Sequence, residues 1–445
     1  MRSDTDHGLK GAPTLRATAA LFLLASVLVL GSVVASGQDG HKWANDPNAA
    51  SSNVGPPGRW RGARAEFEPV LTEEQEREFG RLRSIGYLAG SQPATSNSGI
   101  TIHDAARYYG GLNFYTSGHL AGALLMDMEG RVLHEWRYDF LRAWPDETDS
   151  TEVDGSEYWR WAYLFENGDV LAIFDGLGLI KVDRNSDLIW KRLGGEHHDL
   201  EVTDDGRIFV LTRKVHMLER VNELMPVLED FVTVLDAGGN MLREVSILEA
   251  FENSPFRGAP RARGYVPKGD LYHTNAIEVL DGRFADRIPA FREGNVLISM
   301  RTQSIIAVLD MDTREIVWVA SDLWLAQHDP KFLDNGNILV FDNKGAKGES
   351  RVVEFDPVTR ELVWAYAGDR SNSFFSQMCG ANHRLENGNT LMTESDFGRA
   401  FEVTLSGEIV WEFVNPHRAG KRDNLIATLF DVLRLDPDFP LDWLE

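Results

Sequence analysis

The chain has 445 residues, of which 43% are hydrophobic and 10% aromatic, so it can bury a large core. Its 68 acidic residues outnumber its 45 lysines and arginines. The net charge of −23 argues against nucleic acid as a partner, because an acidic surface repels phosphate backbones. The single cysteine, Cys379, excludes a disulfide within the chain and a cysteine-based metal site. A buried, inert thiol is favoured over a catalytic one.

The N-terminal region predicts export. Residues Ala17–Ala35 carry no charge, and nineteen apolar or small residues are about enough to cross a bilayer at about 1.5 Å per residue. Small residues follow, so residues 1–36 fit either a cleaved signal peptide or an uncleaved membrane anchor. The length of the apolar run favours the anchor, formed by residues 17–35. We therefore expect the rest of the chain to be periplasmic or otherwise extracytoplasmic.

A linker and a short helix are predicted next. Residues 37–70 begin with a stretch rich in Gly, Pro, Ser and Asn and should form a flexible linker. Leu71–Leu88 predicts a helix, with Thr72 as N-cap and Gln75 completing a capping box. This helix would belong to an N-terminal extension, residues 71–110, and pack on the outside of the main domain.

A repeating pattern then dominates the sequence. One half of each unit is a turn rich in Asn, Asp and Gly that leads into an apolar strand, as in DNGNILVF (334–341). The other half is a strand, a turn and a strand, usually ending near a tryptophan, as in VVEFDPVTRELVW (352–364). Six such units occur, and Trp318, Trp364 and Trp411 are spaced by 46 and 47 residues. Repeats of about 40–50 residues with about four short strands are typical of β-propellers.

We therefore predict an all-β fold, a six-bladed β-propeller over residues 111–418. The signal or anchor helix, the linker and the short helical segment precede it, and a C-terminal extension, residues 419–445, follows. An insertion rich in Pro, Arg and Gly, residues 254–270, interrupts the repeat and would cover one face of the propeller.

Histidines and other polar residues recur where the repeat enters or leaves its strands. The strands nearest a propeller axis bring such positions together from distant parts of the chain, so we expect these side chains to converge at one mouth of the channel. One histidine in a loop is as often structural as functional, but a set at equivalent points of a repeat is more informative. The candidates are His197 and His198 in EHHDL, His273 and Asn275 in LYHTNAI, Arg301 in ISMRTQS, His328 in QHDP and His383 in NHR.

These motifs carry a family resemblance. HHDL, HTN, QHDP, the arginine after a strand, and the phrases NGNxL and GRxFEV…GExVWEF resemble the bacterial arylsulfotransferase (arylsulfate sulfotransferase) family over roughly residues 111–416. The family fold is a six-bladed propeller, in agreement with the count of units. The resemblance implies transfer of a sulfuryl group from a phenolic sulfate ester to a phenolic acceptor through a sulfated histidine. It implies neither a nucleotide sulfate donor nor another cofactor, and no metal ligand.

The resemblance assigns roles by motif. His328 in QHDP resembles the nucleophile, and a neutral imidazole suits that role near pH 7. His273 and Asn275 in HTN resemble the pair that contacts the sulfuryl group. Arg301 resembles the site arginine, and with His273 it would stabilise charge on the sulfuryl oxygens.

For two further roles the sequence offers two nearby residues each and does not choose between them. His198 or His197 resembles the remaining family histidine, and the inward one would exchange a proton with the phenol. Thr393 or Ser395 resembles a late hydroxyl residue that binds substrate. The single cysteine departs from members that carry a disulfide, and the region before residue 111 has no counterpart in the family.

Two other classes of protein remain as alternatives. A metal- or quinone-dependent propeller enzyme would use the histidines as ligands, although an arginine in the same cluster disfavours a cation. A non-catalytic binding propeller at the cell surface would tolerate loss of His328. The sequence does not determine the oligomeric state or the natural donor and acceptor.

Overall fold

The computed structural model describes residues 71–147, 155–345, 348–370 and 372–444. The predicted anchor or signal segment and the predicted linker lie outside these residues. No helix in the described ranges is long and apolar enough to span a membrane.

Six antiparallel sheets of four or five strands form the blades of a propeller, which confirms the predicted fold. The innermost strands of most neighbouring blades contact each other around a central axis. In blades 2 to 6 the first strand in sequence is innermost. The strands of these blades are, for blade 2, Trp161–Leu164, Val170–Phe174, Gly178–Val182 and Leu188–Leu193; for blade 3, Glu196–Val202, Ile208–His216, Val227–Leu235 and Met241–Ser246; for blade 4, Thr274–Val279, Val296–Met300, Ile305–Asp310 and Glu315–Ala320; for blade 5, His328–Phe332, Ile338–Asp342, Arg351–Phe355 and Leu362–Ala367; and for blade 6, Ala381–Arg384, Thr390–Glu394, Arg399–Val403 and Ile409–Val414.

Blade 1 joins the two ends of the described chain. Its three outer strands come from the N-terminal side, and its innermost strand, Leu429–Arg434, comes from the C-terminal end. The three outer strands are Asn113–Ser117, Gly122–Met126 and Val132–Arg137. A further strand, Gly99–His103, adds to the outer edge of blade 6. The propeller sheets therefore extend beyond the predicted range 111–418 at both ends.

The Asn/Asp-Gly turns of the repeat precede a strand, as the sequence predicts. Gly336 and Gly388, at equivalent places in blades 5 and 6, have φ of +82° and +85°. A side chain would be strained in this left-handed conformation, so glycine fits the turn. The strands that follow these turns are the second strands of their blades and are fully buried. Between the sheets lie tryptophans and other large apolar residues, including Trp136 and Trp411 at 0% exposure.

Carboxylates on the innermost strands connect neighbouring blades. Asp199 in blade 3 accepts a hydrogen bond from the Ile277 amide in blade 4 (2.9 Å), and Asp329 in blade 5 accepts one from the Asn382 amide in blade 6 (2.7 Å). Glu278 in blade 4 similarly accepts from an amide of blade 5. The aspartates of the HHD and HDP motifs therefore hold the blades in register around the axis.

Helices in the described residues are few and short. The first, α1, runs from Glu73 to Arg83 with the predicted capping box of Thr72 and Gln75, and it packs against blade 3. The predicted end at Leu88 is wrong, because the chain leaves the helix after Arg83 and carries Tyr87 into the propeller. The other α-helices are Phe140–Ala143 (α2), Ile247–Glu252 (α3) and Ala259–Ala262 (α4), and the 3₁₀ helices are Pro289–Phe291, Ser395–Phe397 and Asp442–Leu444. The short strand Gly269–Asp270 pairs in parallel with the third strand of blade 3. A two-stranded ribbon of Arg418–Ala419 and Leu425–Ile426 completes the fold.

Candidate active site

Irregular backbone at the start of three innermost strands directs polar side chains towards the axis. The pairing register shifts beside His197 and His198 in blade 3, beside Asn275 in blade 4 and beside Asp329, just after His328, in blade 5. β-Bulges of this kind redirect side chains and are common next to active sites. His198 and His273 also have positive φ values, +57° and +53°, which strain a residue with a side chain.

His328 is buried and its ring orientation is fixed by Asn343. The Asn343 amide nitrogen donates to the backbone carbonyls of Ser376 (2.8 Å) and Cys379 (3.1 Å), so its amide oxygen faces His328 Nδ1 at 2.7 Å. An amide oxygen can only accept a hydrogen bond, so Nδ1 of His328 carries the proton. The lone pair of neutral His328 is therefore on Nε2.

Nε2 of His328 faces the phenol of Tyr87, which links it to His198. The Tyr87 hydroxyl lies 3.3 Å from His328 Nε2 and 3.0 Å from His198 Nε2. His198 Nδ1 in turn lies 2.6 Å from His197 Nδ1. One proton arrangement satisfies every contact: Tyr87 donates to His328 Nε2, His198 Nε2 donates to the Tyr87 oxygen, and His197 Nδ1 donates to His198 Nδ1.

All three of these imidazoles are held neutral. Burial lowers the pKa of His328 well below its ordinary value, the Arg301 charge lowers it further, and the hydrogen bond to Asn343 opposes the shift. Burial also lowers the pKa values of His197 and His198. A neutral His328 has a free lone pair for nucleophilic attack, and a neutral His198 can carry a proton on Nε2.

His273 reaches the same site from blade 4. Its ring centre lies 5.0 Å from that of His198, and its Nδ1 lies 2.6 Å from a carboxylate oxygen of Asp270. Burial by itself raises the pKa of Asp270, but the charge and hydrogen bonds of His273 outweigh it, and the net pKa is lowered. Asp270 is the last residue of the insertion 254–270. The insertion, which was predicted to cover a face, thus supplies the residue that orients His273.

Two arginines provide positive charge without a carboxylate partner. Within the described ranges neither Arg160 nor Arg301 forms an ion pair, and the Nε of each is buried without a hydrogen-bond acceptor. Arg160 is only 5% exposed, and both charges lower the pKa of His328. A buried cation is costly unless it is paired, so the guanidinium of Arg160 suits an anionic ligand. Arg301 is partly buried and donates to the Gln377 carbonyl, and it adds positive charge to the same site.

The other predicted residues, Asn275, Thr393 and Ser395, are packed within the propeller. Asn275 donates to the backbone carbonyl of Gln327 (2.8 Å), immediately before His328, and its amide oxygen is buried without a partner. The Thr393 hydroxyl accepts from the Val432 amide and thereby joins blade 6 to blade 1. Ser395 is fully buried. Their predicted substrate-binding roles stay predictions.

His383 lies apart from this cluster. It pairs with Asp431 at 2.9 Å beside a cavity of about 430 Å³ that also contacts Lys331. Burial lowers the pKa of His383, but the Asp431 carboxylate outweighs burial and the net pKa is raised. The His383 ring therefore forms an ion pair with Asp431 inside the propeller. Cys379 is buried as predicted, and burial raises the pKa of its thiol to about 12.

The sequence interpretation missed Tyr87, Arg160 and Asn343. Arg160 directly precedes the innermost strand of blade 2, a place equivalent to that of the histidines, and Asn343 directly follows the second strand of blade 5, as Arg301 does in blade 4. Aligning the repeats by strand position would have identified both. No local signal marks Tyr87, which comes from outside the repeats.

Comparison with known proteins identifies the family. The sequence profile of the family described as arylsulfotransferase (ASST) matches residues 162–416, more than half of the chain. The chain belongs to the arylsulfotransferase family. The match to this arylsulfotransferase family spans blades 2 to 6, including His198, His273 and His328. No individual curated protein matches the chain significantly. In the described part of the chain, no group of three or more His, Cys, Asp or Glu side chains is arranged to hold a metal ion.

Solved structures similar to this arylsulfotransferase family member have low sequence identity to it. A Bacteroides caccae protein of unknown function is 13% identical, covers 72% of this chain and 98% of its own, and has a TM-score of 0.46. A streptogramin B lyase is 13% identical, covers 78% of this chain and 94% of its own, and has a TM-score of 0.42. The β-propeller domain of Cps50 (Swd1) from Myceliophteria thermophila is 11% identical, covers 75% of this chain and 89% of its own, and has a TM-score of 0.42.

Proposed function

We propose that this protein transfers a sulfuryl group from a phenolic sulfate ester to a phenolic acceptor through a covalent intermediate on His328 Nε2, without a nucleotide sulfate donor. One observation supports this most directly. A neutral imidazole, fixed through Nδ1 by Asn343, presents its lone pair to a phenolic oxygen that it shares with His198. Nucleophile, hydrogen-bond donor and a phenol are therefore already in contact.

In the first half-reaction, His328 Nε2 attacks sulfur and the bond from sulfur to the phenolic oxygen breaks. The N–H of His198 Nε2 donates a hydrogen bond to the departing phenolate and stabilises its negative charge, and the phenolate takes up a proton from solvent once it has left the site. Sulfation makes the His328 ring cationic, and its Nδ1 proton then donates a stronger hydrogen bond to the Asn343 oxygen. Arg301, Arg160 and His273 balance charge on the sulfuryl oxygens.

In the second half-reaction, an incoming phenol takes the place of the donor phenolate, accepts the hydrogen bond from His198 Nε2 and loses its proton to solvent as it reacts. The phenolic oxygen attacks sulfur, the bond from sulfur to His328 Nε2 breaks, and His328 returns to its starting state. Division of the transfer into two displacements on one nucleophile is the usual advantage of covalent catalysis. The order also requires the donor product to leave before the acceptor binds.

The purified full-length chain, mixed with p-nitrophenyl sulfate and increasing phenol, tests this function. Nitrophenol release should rise with phenol concentration, and one phenyl sulfate should form for each nitrophenol released. A chelator should not change the rate. His103→Ala, on the outermost strand of blade 6, is a matched control that should behave as wild type. Release of inorganic sulfate alone, or no release with phenol present, would contradict the proposal.

The pH dependence tests the fixed, neutral His328. The neutral ring is the active form, and its lowered pKa keeps it neutral as pH falls, so the acid limb of kcat/KM should lie below the ordinary histidine value of 6.5. Asn343→Asp places a carboxylate against Nδ1, which favours the charged ring and raises its pKa. The acid limb should therefore move to higher pH.

Asn343→Leu is the control for this pH shift. It removes the amide without adding a charge, so activity should fall while the acid limb does not move upward. An unchanged acid limb in Asn343→Asp, or one that moves to lower pH, would contradict the arrangement of protons derived above.

A further inference from the structure

Tyr87 places a phenol from the protein itself in the candidate active site. Its hydroxyl contacts the Nε2 atoms of both His328 and His198, and the residue is only 4% exposed. The proposed substrates of this site are phenols and their sulfate esters. Tyr87 therefore has the functional group of the acceptor, and it contacts the two nitrogen atoms that an acceptor would contact.

The surroundings of the Tyr87 ring form a binding site for a phenol. The Arg160 guanidinium carbon lies 4.6 Å from the ring centre, a cation–π contact, and the His198 ring meets it edge-on at 5.2 Å. The Phe430 ring lies edge-on at 6.4 Å. The Tyr158 hydroxyl donates to the Tyr87 backbone carbonyl and holds the main chain over the site.

The segment that carries Tyr87 is attached to the propeller through its backbone. We call residues 84–94, which follow α1, the strap. Thr428 donates from its amide to the Ala89 carbonyl (2.8 Å) and from its hydroxyl to the Leu88 carbonyl (2.9 Å). The Ile426 amide donates to the Gln92 carbonyl (2.9 Å). These bonds do not involve the tyrosine side chain, so the strap would place whatever residue occupies position 87 beside the histidines.

We propose that Tyr87 is an internal acceptor and that the protein sulfates it with a phenolic sulfate ester as donor. This inference rests on the proposed function. After the donor has sulfated His328, the Tyr87 oxygen attacks sulfur, the bond from sulfur to His328 Nε2 breaks, and a sulfate ester forms on Tyr87. The phenolic proton passes to solvent, which supplies the proton that the donor phenolate takes up, and His198 Nε2 keeps its own proton throughout. Atoms and charges therefore balance without another reactant.

The strap must move during this reaction. In the structure the Tyr87 oxygen is 3.3 Å from His328 Nε2, which leaves no room for sulfur between them. Because reacting atoms lie about 3–3.5 Å apart before a bond forms, the oxygen has to withdraw by on the order of 1–2 Å from the sulfated ring. The donor likewise requires the strap to open before it can reach His328. A sulfated Tyr87 is too large to return to its position between the two rings.

Peptide mapping after reaction with p-nitrophenyl sulfate tests this proposal on the full-length chain. Without added phenol, the tryptic peptide Ser84–Arg107 of the wild type should gain the mass of one SO₃ group, with release of an equivalent of nitrophenol. Tyr87→Phe should leave that peptide unmodified and still transfer sulfuryl groups to added phenol. Tyr108→Phe, a nearby tyrosine outside the site, should retain the modification on Tyr87. His328→Ala should abolish it.

The outcomes separate this proposal from the proposed function. If the wild type forms phenyl sulfate from added phenol but Ser84–Arg107 stays unmodified, Tyr87 is not an acceptor and the transfer function still holds. If His328→Ala is sulfated on Tyr87 as fast as wild type, the modification does not come from this site and the proposal is wrong. If neither phenol nor Tyr87 is sulfated, both proposals fail. The wild-type peptide answers the question even if a variant does not fold.

Discussion

Replacing His328 by alanine is expected to lower phenol-dependent nitrophenol release by about 10³- to 10⁶-fold, the range typical of a lost covalent nucleophile. The reason is geometric as well as chemical. In the described site, no side chain other than His328 combines a neutral ring, a fixed tautomer and a lone pair directed at the phenolic oxygen. Steady-state rates with p-nitrophenyl sulfate and phenol measure the loss.

Two checks make this result interpretable. His103→Ala should keep the wild-type rate, because that ring lies on the outer edge of blade 6. His328→Gln should be as inactive as the alanine variant, although it keeps a polar group near Asn343, and its unfolding midpoint in urea should stay close to wild type. A rate within tenfold of wild type for either His328 variant would show that the nucleophile is elsewhere.

Replacing Arg434 by methionine is expected to destabilise the propeller by about 3–5 kcal/mol, as is typical when one partner of a buried ion pair is removed. Arg434 lies on the strand that closes blade 1. Its guanidinium donates to Asn113 (2.7 Å) and to Glu402 (3.1 Å), and both side chains of the ion pair are 0% exposed. The variant therefore leaves Glu402 buried without its cation, at the junction of blades 1 and 6.

Urea unfolding followed by tryptophan fluorescence measures this effect. Arg107→Met is the matched control, because its ion pair with Asp104 is exposed and such pairs contribute about 0–1 kcal/mol. A loss of less than about 1 kcal/mol in Arg434→Met would contradict the closing role of this strand.

The sequence was sufficient for the blades because each repeat is specified locally. Asn/Asp-Gly turns, alternating strands and tryptophans determine one blade at a time, and Gly336 and Gly388 adopt the backbone that their turns require. The closure of the ring was not predictable in this way. The strand Leu429–Arg434 has no preceding turn of the repeat, and its partner strand Asn113–Ser117 is more than 300 residues away.

The candidate site was predicted in part for the same reason. His198, His273 and His328 enter through repeated positions, so their convergence followed from the repeat, and the structure places them together. Their hydrogen-bond partners did not follow. The tautomer of His328 depends on Asn343. The orientation of Asn343 is set by the carbonyls of Ser376 and Cys379, in the connection between blades 5 and 6. Tyr87 reaches the site from a segment that the sequence assigned to a helix.

The position of the covalent sulfuryl group distinguishes His328 from every other candidate nucleophile. The full-length chain and its Tyr87→Phe variant would be mixed with p-nitrophenyl sulfate without added phenol, quenched within one turnover and mapped by peptide mass spectrometry. One SO₃ group is expected on His328, in the tryptic peptide Glu315–Lys331, and it should persist longer in Tyr87→Phe because that variant lacks the internal acceptor. Added phenol should remove it as phenyl sulfate. Transfer to phenol with His328 unmodified throughout, or with the group on another residue that passes it to phenol, would show that His328 is not the nucleophile.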